Sequence, residues 1–452
     1  MLRPHYKMCL AAFVLDFAVM IGMTAIPFFV MQQLGGSAAM LGLFGGLQAV
    51  AYAFTCLLSS GFVARAKNGL LWALWGVFAF TVCVGVIPFS RNPWICCSAA
   101  VLAHMSLAFV WPALHSWIGA EPDIRLRAKR IALFNVSWSV GFAVSPLFGG
   151  PLFDADYRLP FIVLSILCGA VLYIIWSLPH EKAYFGSATQ EMLAARGEHD
   201  RASEIYLYAA WCATAVANVL AGVTRSVYTE RVAVLVASKQ LRFLFETEPP
   251  AILQYGAATK YSWMAAMLAS ATALTFLIMG RTTGWRHRME WLFAFQTAAG
   301  GAFWILGHTT SLVVMMAAFG VVGVNLGVSF FSSTYYSLAN PEHKHRRAAL
   351  NEAAVGMGGI VTVSFGLLVA RFGFGPPFHY LPLALAGVIL VELALVRWRR
   401  ARVDRAAAQV PSPGPVQTDV PFEPALPATG AYRDAAPPAP PLSTSSGPTG
   451  PA

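Results

Sequence analysis

Charged residues are scarce in this sequence. Asp, Glu, Lys and Arg make up 12% of the 452 residues, whereas hydrophobic residues make up 57%. Soluble domains usually carry about a quarter charged residues, and a water-soluble fold of this size could not bury so much apolar surface. The shortage of charge therefore excludes an ordinary soluble protein and indicates a lipid environment.

The sequence also lacks the patterns that hold metals, cofactors or reacting groups. Its seven cysteines lie in apolar runs, and no spacing among them suggests a metal site or a disulfide framework. No zinc-protease, phosphate-loop or Ser-His-Asp pattern is evident. We therefore expect no metal, no cofactor and no enzymatic activity. No soluble segment is long enough for a nucleotide-binding domain, which argues against an ATP-driven pump.

Twelve apolar runs are long enough to cross a bilayer, for which a helix needs about 20 mostly apolar residues. They are continuously apolar rather than alternating, which excludes a β-barrel. The sequence thus predicts an all-α membrane protein with twelve transmembrane helices. The predicted spans are 8–30, 38–59, 70–89, 94–118, 131–153, 159–178, 205–223, 259–280, 288–307, 311–337, 348–370 and 378–397.

A polar segment divides the spans into two groups of six. We predict an N-terminal half at 1–178, a cytoplasmic central loop at 179–204 and a C-terminal half at 205–400. A Pro- and Ala-rich tail at 401–452 is predicted to be disordered because it has too few apolar residues to fold. The segment 224–258 is predicted to be a long outer loop that contains a short interfacial helix.

Basic residues are distributed unevenly between the two sides of the bilayer. Most of the 31 Lys and Arg residues fall on the side that holds both termini. Because basic residues mark cytoplasmic loops, both termini are predicted to be cytoplasmic, in a plasma (inner) membrane. The net charge of +10 comes from these loops and does not indicate nucleic-acid binding.

The two halves resemble each other at an offset of 216 residues. The matches fall at equivalent places in the predicted topology, which makes chance similarity less plausible. Over about residues 5–400 the sequence resembles the major facilitator superfamily, whose architecture is two parallel six-helix halves. The matched pairs are Arg65 and Arg281, Arg130 and Arg346, Asn135 and Asn351, and Gly150 and Gly366.

The fifth predicted span carries the most specific motif. It reads Gly141-Phe-Ala-Val-Ser145-Pro146-Leu-Phe-Gly149-Gly150, which is similar to the Gly-x-x-x-Gly-Pro-x-x-Gly-Gly motif of antiporters in that superfamily. Pro146 is expected to bend the helix, and the small residues permit close helix approach. The resemblance implies export by exchange, while simple helix packing is the alternative interpretation.

The loop after the second span departs from the family pattern. Arg65 stands where the superfamily has an Asp that meets the eleventh helix at the cytoplasmic gate. We predict an inverted pair, in which Arg65 holds Glu352 at the start of the eleventh span. Contact of Arg65 with lipid phosphates is the alternative. The predicted gate residues are Arg65, Arg281, Arg130, Arg346, Asn351 and Glu352.

Acids within the spans are few, and Asp16 is the deepest of them. Ionisable groups within spans are costly and often functional, so Asp16 is the candidate for proton coupling. The alternative is that Asp16 reaches a cytoplasmic Lys or Arg and only anchors its helix. Glu392 lies near the cytoplasmic end of the twelfth span, where we expect it to pair with Arg397 or Arg399.

Aromatic, amide and hydroxyl side chains recur in four of the spans. Such groups can stack on and hydrogen-bond an organic substrate, although they also form interfacial belts and interhelical bonds. The predicted substrate-cavity residues are His115, Trp111, Asn135, Trp138, Asn218, Phe330 and Thr334, with Thr224 and Arg225 as similar candidates at the outer end of the seventh span.

The residues and the resemblance together predict a monomeric secondary transporter. It would move a small organic solute across the lipid bilayer by alternating access, coupled to protons and working as an exporter. A membrane receptor or scaffold that kept this fold without transport is the alternative function. An integral membrane enzyme ranks last, because no catalytic constellation supports it.

Overall fold

Helices make up almost all of the chain that the structure describes. The computed structural model describes residues 3–65, 69–119, 124–178, 197–244, 255–338 and 344–408. Within these ranges the strand-like pairing is limited to an isolated bridge between Arg242 and Ser311. The predicted all-α membrane fold is confirmed.

In chain order, seven α-helices of the described chain precede residues 179–196 and seven follow them. The first seven are α1 (Pro4–Leu34), α2 (Ala38–Arg65), α3 (Gly69–Val86), α4 (Pro93–Gly119), α5 (Ile124–Val144), α6 (Pro146–Ala155) and α7 (Leu159–Trp176). A short 3-10 helix, Ile87–Phe89, follows α3. The later helices are α8 (Gly197–Arg225), α9 (Val227–Ala237), α10 (Ala257–Arg281), α11 (Met289–His308), α12 (Leu312–Leu338), α13 (Lys344–Phe372) and α14 (Gly375–Ala408).

Eleven helical stretches of the described chain are long and apolar enough to cross a bilayer. They correspond to every predicted span except 288–307. That segment does form a helix, α11, of 20 residues. It is less apolar than the others because Glu290, Gln296 and His308 interrupt it.

The helices differ from the predicted segments at three places. The helix α8 begins at Gly197, inside the predicted central loop, and α14 runs to Ala408, into the predicted tail. The extension of α14 is rich in Ala and Arg, which are strong helix formers. The predicted outer loop 224–258 contains α9, whose Tyr228 and Val232 are fully buried. This segment is therefore a core helix rather than an interfacial one.

Helices α2 and α13 pack closely through small residues. A Cβ added at Gly42 would lie 2.9 Å from the Gly366 Cα, and one added at Gly359 would lie 2.1 Å from the Ala49 Cβ. Larger side chains would force the two helices apart. This contact therefore links the first group of helices, which contains α2, to the second group, which contains α13.

Several of these contacts gather at one end of the bundle. The turns at residues 35–37, 156–158 and 373–374 lie there, and we call it the outer end, since the sequence predicts that it faces away from the cytoplasm. Ala38 on α2 approaches Gly366 on α13 at this end, and Gly256 approaches Asp154. The outer end is therefore closed in this conformation.

Candidate functional site

The Gly141–Gly150 motif positions α5 and α6 against α1. A Cβ at Gly141 would lie 2.5 Å from the Phe13 carbonyl oxygen, so only glycine fits. Helix α5 ends at Val144, and α6 begins at Pro146. At this break the Ser145 hydroxyl donates a hydrogen bond to the Phe17 carbonyl at 2.5 Å. The serine that replaces the family glycine thus ties the break to α1, next to Asp16.

The last glycine of the motif faces α10 instead. A Cβ at Gly150 would lie 2.4 Å from the Ala258 carbonyl oxygen. Four residues later, the Asp154 carboxylate accepts a hydrogen bond from the Thr259 backbone N–H at 2.9 Å. The motif therefore forms a contact between α6 and α10 at the outer end.

A cavity lies between helices from both parts of the chain. Its volume is about 10 Å³ in this conformation, which is room for about one water molecule. Its walls come from α1, α5, α8, α10 and α12, and we call it the central cavity. Its lining residues are Met20, Met23, Thr24, Phe142, Thr224, Arg225, Tyr261, Ala265, Leu268 and Phe319.

A second cavity continues toward the outer end. It has a volume of about 40 Å³ and shares Met23 and Arg225 with the central cavity. Its other walls include Gly45 and Gln48 on α2, together with Ser226 at the junction of α8 and α9. Arg225 therefore stands where the two cavities meet.

Arg225 is the charged residue of the central cavity. Its guanidinium lies over the Phe142 ring, 5.3 Å from the ring centre. Among the described residues, it has no ion pair and no hydrogen bond to another side chain. A guanidinium in a protein interior normally has such partners, so its donors remain available for a ligand.

Asp16, on α1, lies close to Arg225, which ends α8. It is one helical turn before Met20, so both residues share a face of α1. Its Oδ2 atom is buried and has no hydrogen-bond partner among the described residues. The Asp16 and Arg225 charges interact through space without forming a direct ion pair. Among the described residues, the charge that acts on Asp16 is that of Arg225, inside the bundle.

The hydroxyl groups of the central cavity are already bonded to the backbone. Tyr261 donates to the Thr224 carbonyl at 3.1 Å, Thr224 donates to the Ala221 carbonyl at 2.8 Å, and Thr24 donates to the Met20 carbonyl at 3.0 Å. The cavity thus combines one free guanidinium with walls that are otherwise apolar or internally satisfied.

Of the predicted substrate-cavity residues, Thr224 and Arg225 line the central cavity, and the others have different contacts. Trp138 donates a hydrogen bond to Asn135 at 3.1 Å, and its ring contacts Phe276, which in turn contacts Phe330. Thr334 accepts a bond of 3.5 Å from Asn351. Of the predicted set, Trp111, Asn135, Trp138, Asn218, Phe330 and Thr334 line neither cavity, and the His115 side chain lies outside the described residues.

The predicted gate residues are only partly described. The backbones of Arg65, Arg346 and Glu352 belong to α2 and α13, but their side chains lie outside the described residues. Arg281 is exposed at the end of α10, and Arg130 is half-buried on α5. Asn351 is buried on α13. The structure therefore does not test the Arg65–Glu352 pair.

Glu392 corrects another prediction. It is fully buried and accepts a hydrogen bond of 2.8 Å from the Gln296 amide. It pairs with neither Arg397 nor Arg399, because α14 turns it toward α11. Arg399 instead pairs with Glu204 on α8 at 3.0 Å, and Arg347 pairs with the same carboxylate. Among the described residues, no group of three or more potential ligands could hold a metal ion.

Sequence reasoning missed most of the central cavity. Phe142, Tyr261 and Phe319 read as ordinary core aromatics, and only the positions of their helices show that they face a common space. Arg225 did carry a signal, since an arginine in an apolar run is rare.

Comparison with known proteins gives the family and the fold. The model of the Major Facilitator Superfamily matches residues 8–340. No curated protein matches the sequence. Many solved structures share the fold, including a POT family transporter in complex with a thioalcohol-conjugated peptide, with a TM-score of 0.67, 12% identity, and coverage of 87% of this chain and 96% of that one.

Two further solved structures give the same result. The nucleoside transporter NupG has a TM-score of 0.68 and 10% identity, over 87% of this chain and 99% of that one. A bacterial homolog of the human lysosomal transporter Spinster, in an inward-facing and unoccupied conformation, has a TM-score of 0.64 and 15% identity, over 91% of this chain and 100% of that one. At these identities the similarity shows the fold alone.

Proposed function

Because the chain belongs to the major facilitator superfamily and is a membrane transporter of that type, we propose that it moves a small organic solute by secondary active transport. The observation that supports this is the central cavity between helices from both parts of the chain, with Arg225 in its wall and the charge of Asp16 acting on Arg225. Transport would proceed by alternating access, with the protein acting as a monomer.

Alternating access requires the outer end to open. The contacts there are α2 with α13 and α6 with α10, both made by small residues and backbone groups. Close contacts between small residues and backbone groups let two helices separate and close again with little repacking of side chains. The closed outer end then corresponds to one of two states of the transport cycle.

Proton coupling is assigned to Asp16. A carboxylic acid whose Oδ2 has no partner in the bundle interior can take up and release a proton, and Arg225 responds to its charge. The test is solute-driven proton movement in proteoliposomes that contain a pH-sensitive dye, with aromatic acids, amines and amides as solutes. At least one solute should move protons with the wild type, and none should do so with Asp16→Asn. Unchanged proton movement in the variant would leave Asp16 as an anchor only.

The proposed direction is export. It rests on the similarity of the Gly141–Gly150 motif to the antiporter motif. Right-side-out and inside-out vesicles should differ, with faster loss of solute from the side that holds the termini. Equal or opposite rates would argue against an exporter. The same assay shows whether protons move against the solute or with it.

The proposed orientation places both termini in the cytoplasm of a bacterial-type plasma membrane. Reporter fusions after Gly69 and after Gly373 test it, because these sites lie at opposite ends of their helices. A cytoplasmic signal at Gly69 and a periplasmic one at Gly373 are expected. The reverse pattern would invert the topology.

At the cytoplasmic end we propose the Arg65–Glu352 pair as the gate. A partly exposed ion pair contributes about 1 kcal/mol, which shifts a balanced equilibrium about fivefold. Arg65→Glu and Glu352→Arg should each slow transport, and the double variant should recover. If the double variant does not recover, contact of Arg65 with lipid phosphates accounts better for its position.

A receptor or scaffold without transport is the second candidate function. The observation that favours it is the missing acid in the loop that carries Arg65. Solute flux no faster than in protein-free liposomes, together with an outer end that never opens, would support it.

A further inference from the structure

We infer that the transported solute is an organic anion, with an oxyanion group bound by Arg225 and an apolar body bound by the aromatic walls of the central cavity. The inference rests on the proposed transport function, since it names the solute class for the same cavity.

The first argument is the free guanidinium of Arg225. Its contact with the Phe142 ring engages one face of the guanidinium and leaves the N–H edges unused. Arginine presents five donors in a planar fork that matches the two oxygens of a carboxylate. Arg225 is half-buried and forms no ion pair with another described residue, so an arriving anion gains both charge and hydrogen bonds at this position.

The second argument is what the remaining walls exclude. Met20, Leu268 and Phe319 offer only apolar surface. The hydroxyls of Thr24, Thr224 and Tyr261 already donate to backbone carbonyls. A sugar or another polyhydroxylated solute would therefore find few partners for its hydroxyl groups, and its desolvation would be poorly compensated. An aromatic or aliphatic body with one anionic group matches the chemistry of these walls, and the central cavity, with a volume of about 10 Å³ in this conformation, has to widen during the transport cycle to admit it.

Asp16 sets how strongly an anion can bind. Its carboxylate and the anion compete for the same guanidinium, because both are attracted to Arg225 and repel each other. The anion should bind best when residue 16 is uncharged. Other titratable groups around the two cavities are His104, whose ring contacts Met23, and Tyr261, with Glu230, Arg231, Asp154 and Lys260 nearer the outer end.

Ligand-induced thermal stabilisation of the purified full-length protein tests the inference. The probes are benzoate and 2-naphthoate, with benzamide and benzylamine as neutral and cationic counterparts of similar size. The carboxylates should raise the unfolding temperature with saturation, and the amide and amine should not. Removing a charged hydrogen-bonding partner typically costs about tenfold or more in affinity, which is the loss expected for Arg225→Gln.

Two variants sharpen the result. Asp16→Asn should bind benzoate severalfold more tightly than the wild type, which a merely structural Asp16 would not do. Arg91→Gln removes an equal charge at an exposed site outside both cavities and should bind as the wild type does. If Arg225→Gln fails to fold, thermal stabilisation of the wild type and of Asp16→Asn by the same four probes still tests whether the cavity prefers an anion.

The inference is overturned if benzamide or benzylamine stabilises the protein as well as the carboxylates do, or if no carboxylate stabilises it. Its failure is separable from that of the transport proposal. Labelling of a Ser226→Cys variant in proteoliposomes by an impermeant maleimide reports whether the outer end opens, whatever the solute is. If the outer end opens but the protein shows no response to anions, the inference that the solute is an anion is rejected and the proposal of alternating access stands.

Discussion

Asp154 holds the outer end closed by capping a helix in the other part of the chain. Helix α10 begins after Gly256, which has no side chain to cap it. The Asp154 carboxylate takes this role by accepting the Thr259 N–H bond at 2.9 Å, and Lys260 adds a nearby positive charge. A carboxylate at a helix N-terminus is further stabilised by the helix dipole. Closure of the outer end should therefore depend on this side chain.

The expected magnitude follows from capping energies. Removing a helix cap costs about 1 kcal/mol, within a range of about 0.5 to 2. Asp154 is exposed, so solvent screening keeps the value near about 1 kcal/mol. That energy is lost only from the closed state, because the contact breaks when α6 and α10 separate. The open fraction should increase about fivefold, since 1.4 kcal/mol corresponds to tenfold.

The assay is maleimide labelling of Ser226→Cys from outside. Asp154→Ala should label about fivefold faster than the parent, and Asp154→Asn should fall between them because its amide oxygen still accepts a hydrogen bond. Asp156→Ala is the matched control, since Asp156 lies in the same turn and bonds only locally, to the Arg158 N–H at 2.8 Å. Wild-type labelling in Asp154→Ala, or equal acceleration in Asp156→Ala, would refute the cap.

Two further predictions concern packing. Gly150→Ala should open the outer end and lower the unfolding temperature, because its Cβ would lie 2.4 Å from the Ala258 carbonyl oxygen, whereas Gly169→Ala, with nothing within 4 Å, should change neither quantity; equal effects would show that the α6–α10 contact is not tight. Glu392→Ala should lower the free energy of unfolding by about 1–3 kcal/mol because it leaves the buried Gln296 amide unpaired, while Glu392→Gln should retain most of the stability. A thermal scan in detergent decides, and equal losses would contradict the hydrogen-bond explanation.

The spans and the family were predictable because they depend on length and composition. A bilayer requires about 20 apolar residues per helix and internally satisfied backbone groups, so a run such as 70–89 has few alternative structures. Helix α11 shows where this reasoning fails, because it lies at a predicted span but is not among the described helices apolar enough to cross a bilayer. Gln296 lowers the hydropathy of the segment, yet its amide is satisfied by Glu392 inside the bundle.

The central cavity was not predictable because it depends on how the helices are rotated and where they end. Arg225 was placed at the outer end of a span that stopped at residue 223. The helical stretch in fact continues from Ser203 to Ala237 over 35 residues, which puts Arg225 inside the bundle. Likewise Tyr261 has the composition of a core residue, and only its bond to the Thr224 carbonyl reveals its position.

The length of α14 has a consequence for how the protein sits in lipid. Its 34 residues extend about 51 Å at 1.5 Å per residue, which exceeds the roughly 30 Å of a hydrocarbon core. The surplus carries Trp398, flanked by the stacked guanidiniums of Arg399 and Arg402. Arg399 is held by Glu204, so Arg402 is the residue of the two that would lie beside anionic lipids. An indole at the headgroup level and such a basic residue would resist movement along the membrane normal, by about 1 kcal/mol per basic residue. Helix α14 is the least buried of the apolar helices in the described chain. It would therefore set how deeply the protein sits in the bilayer.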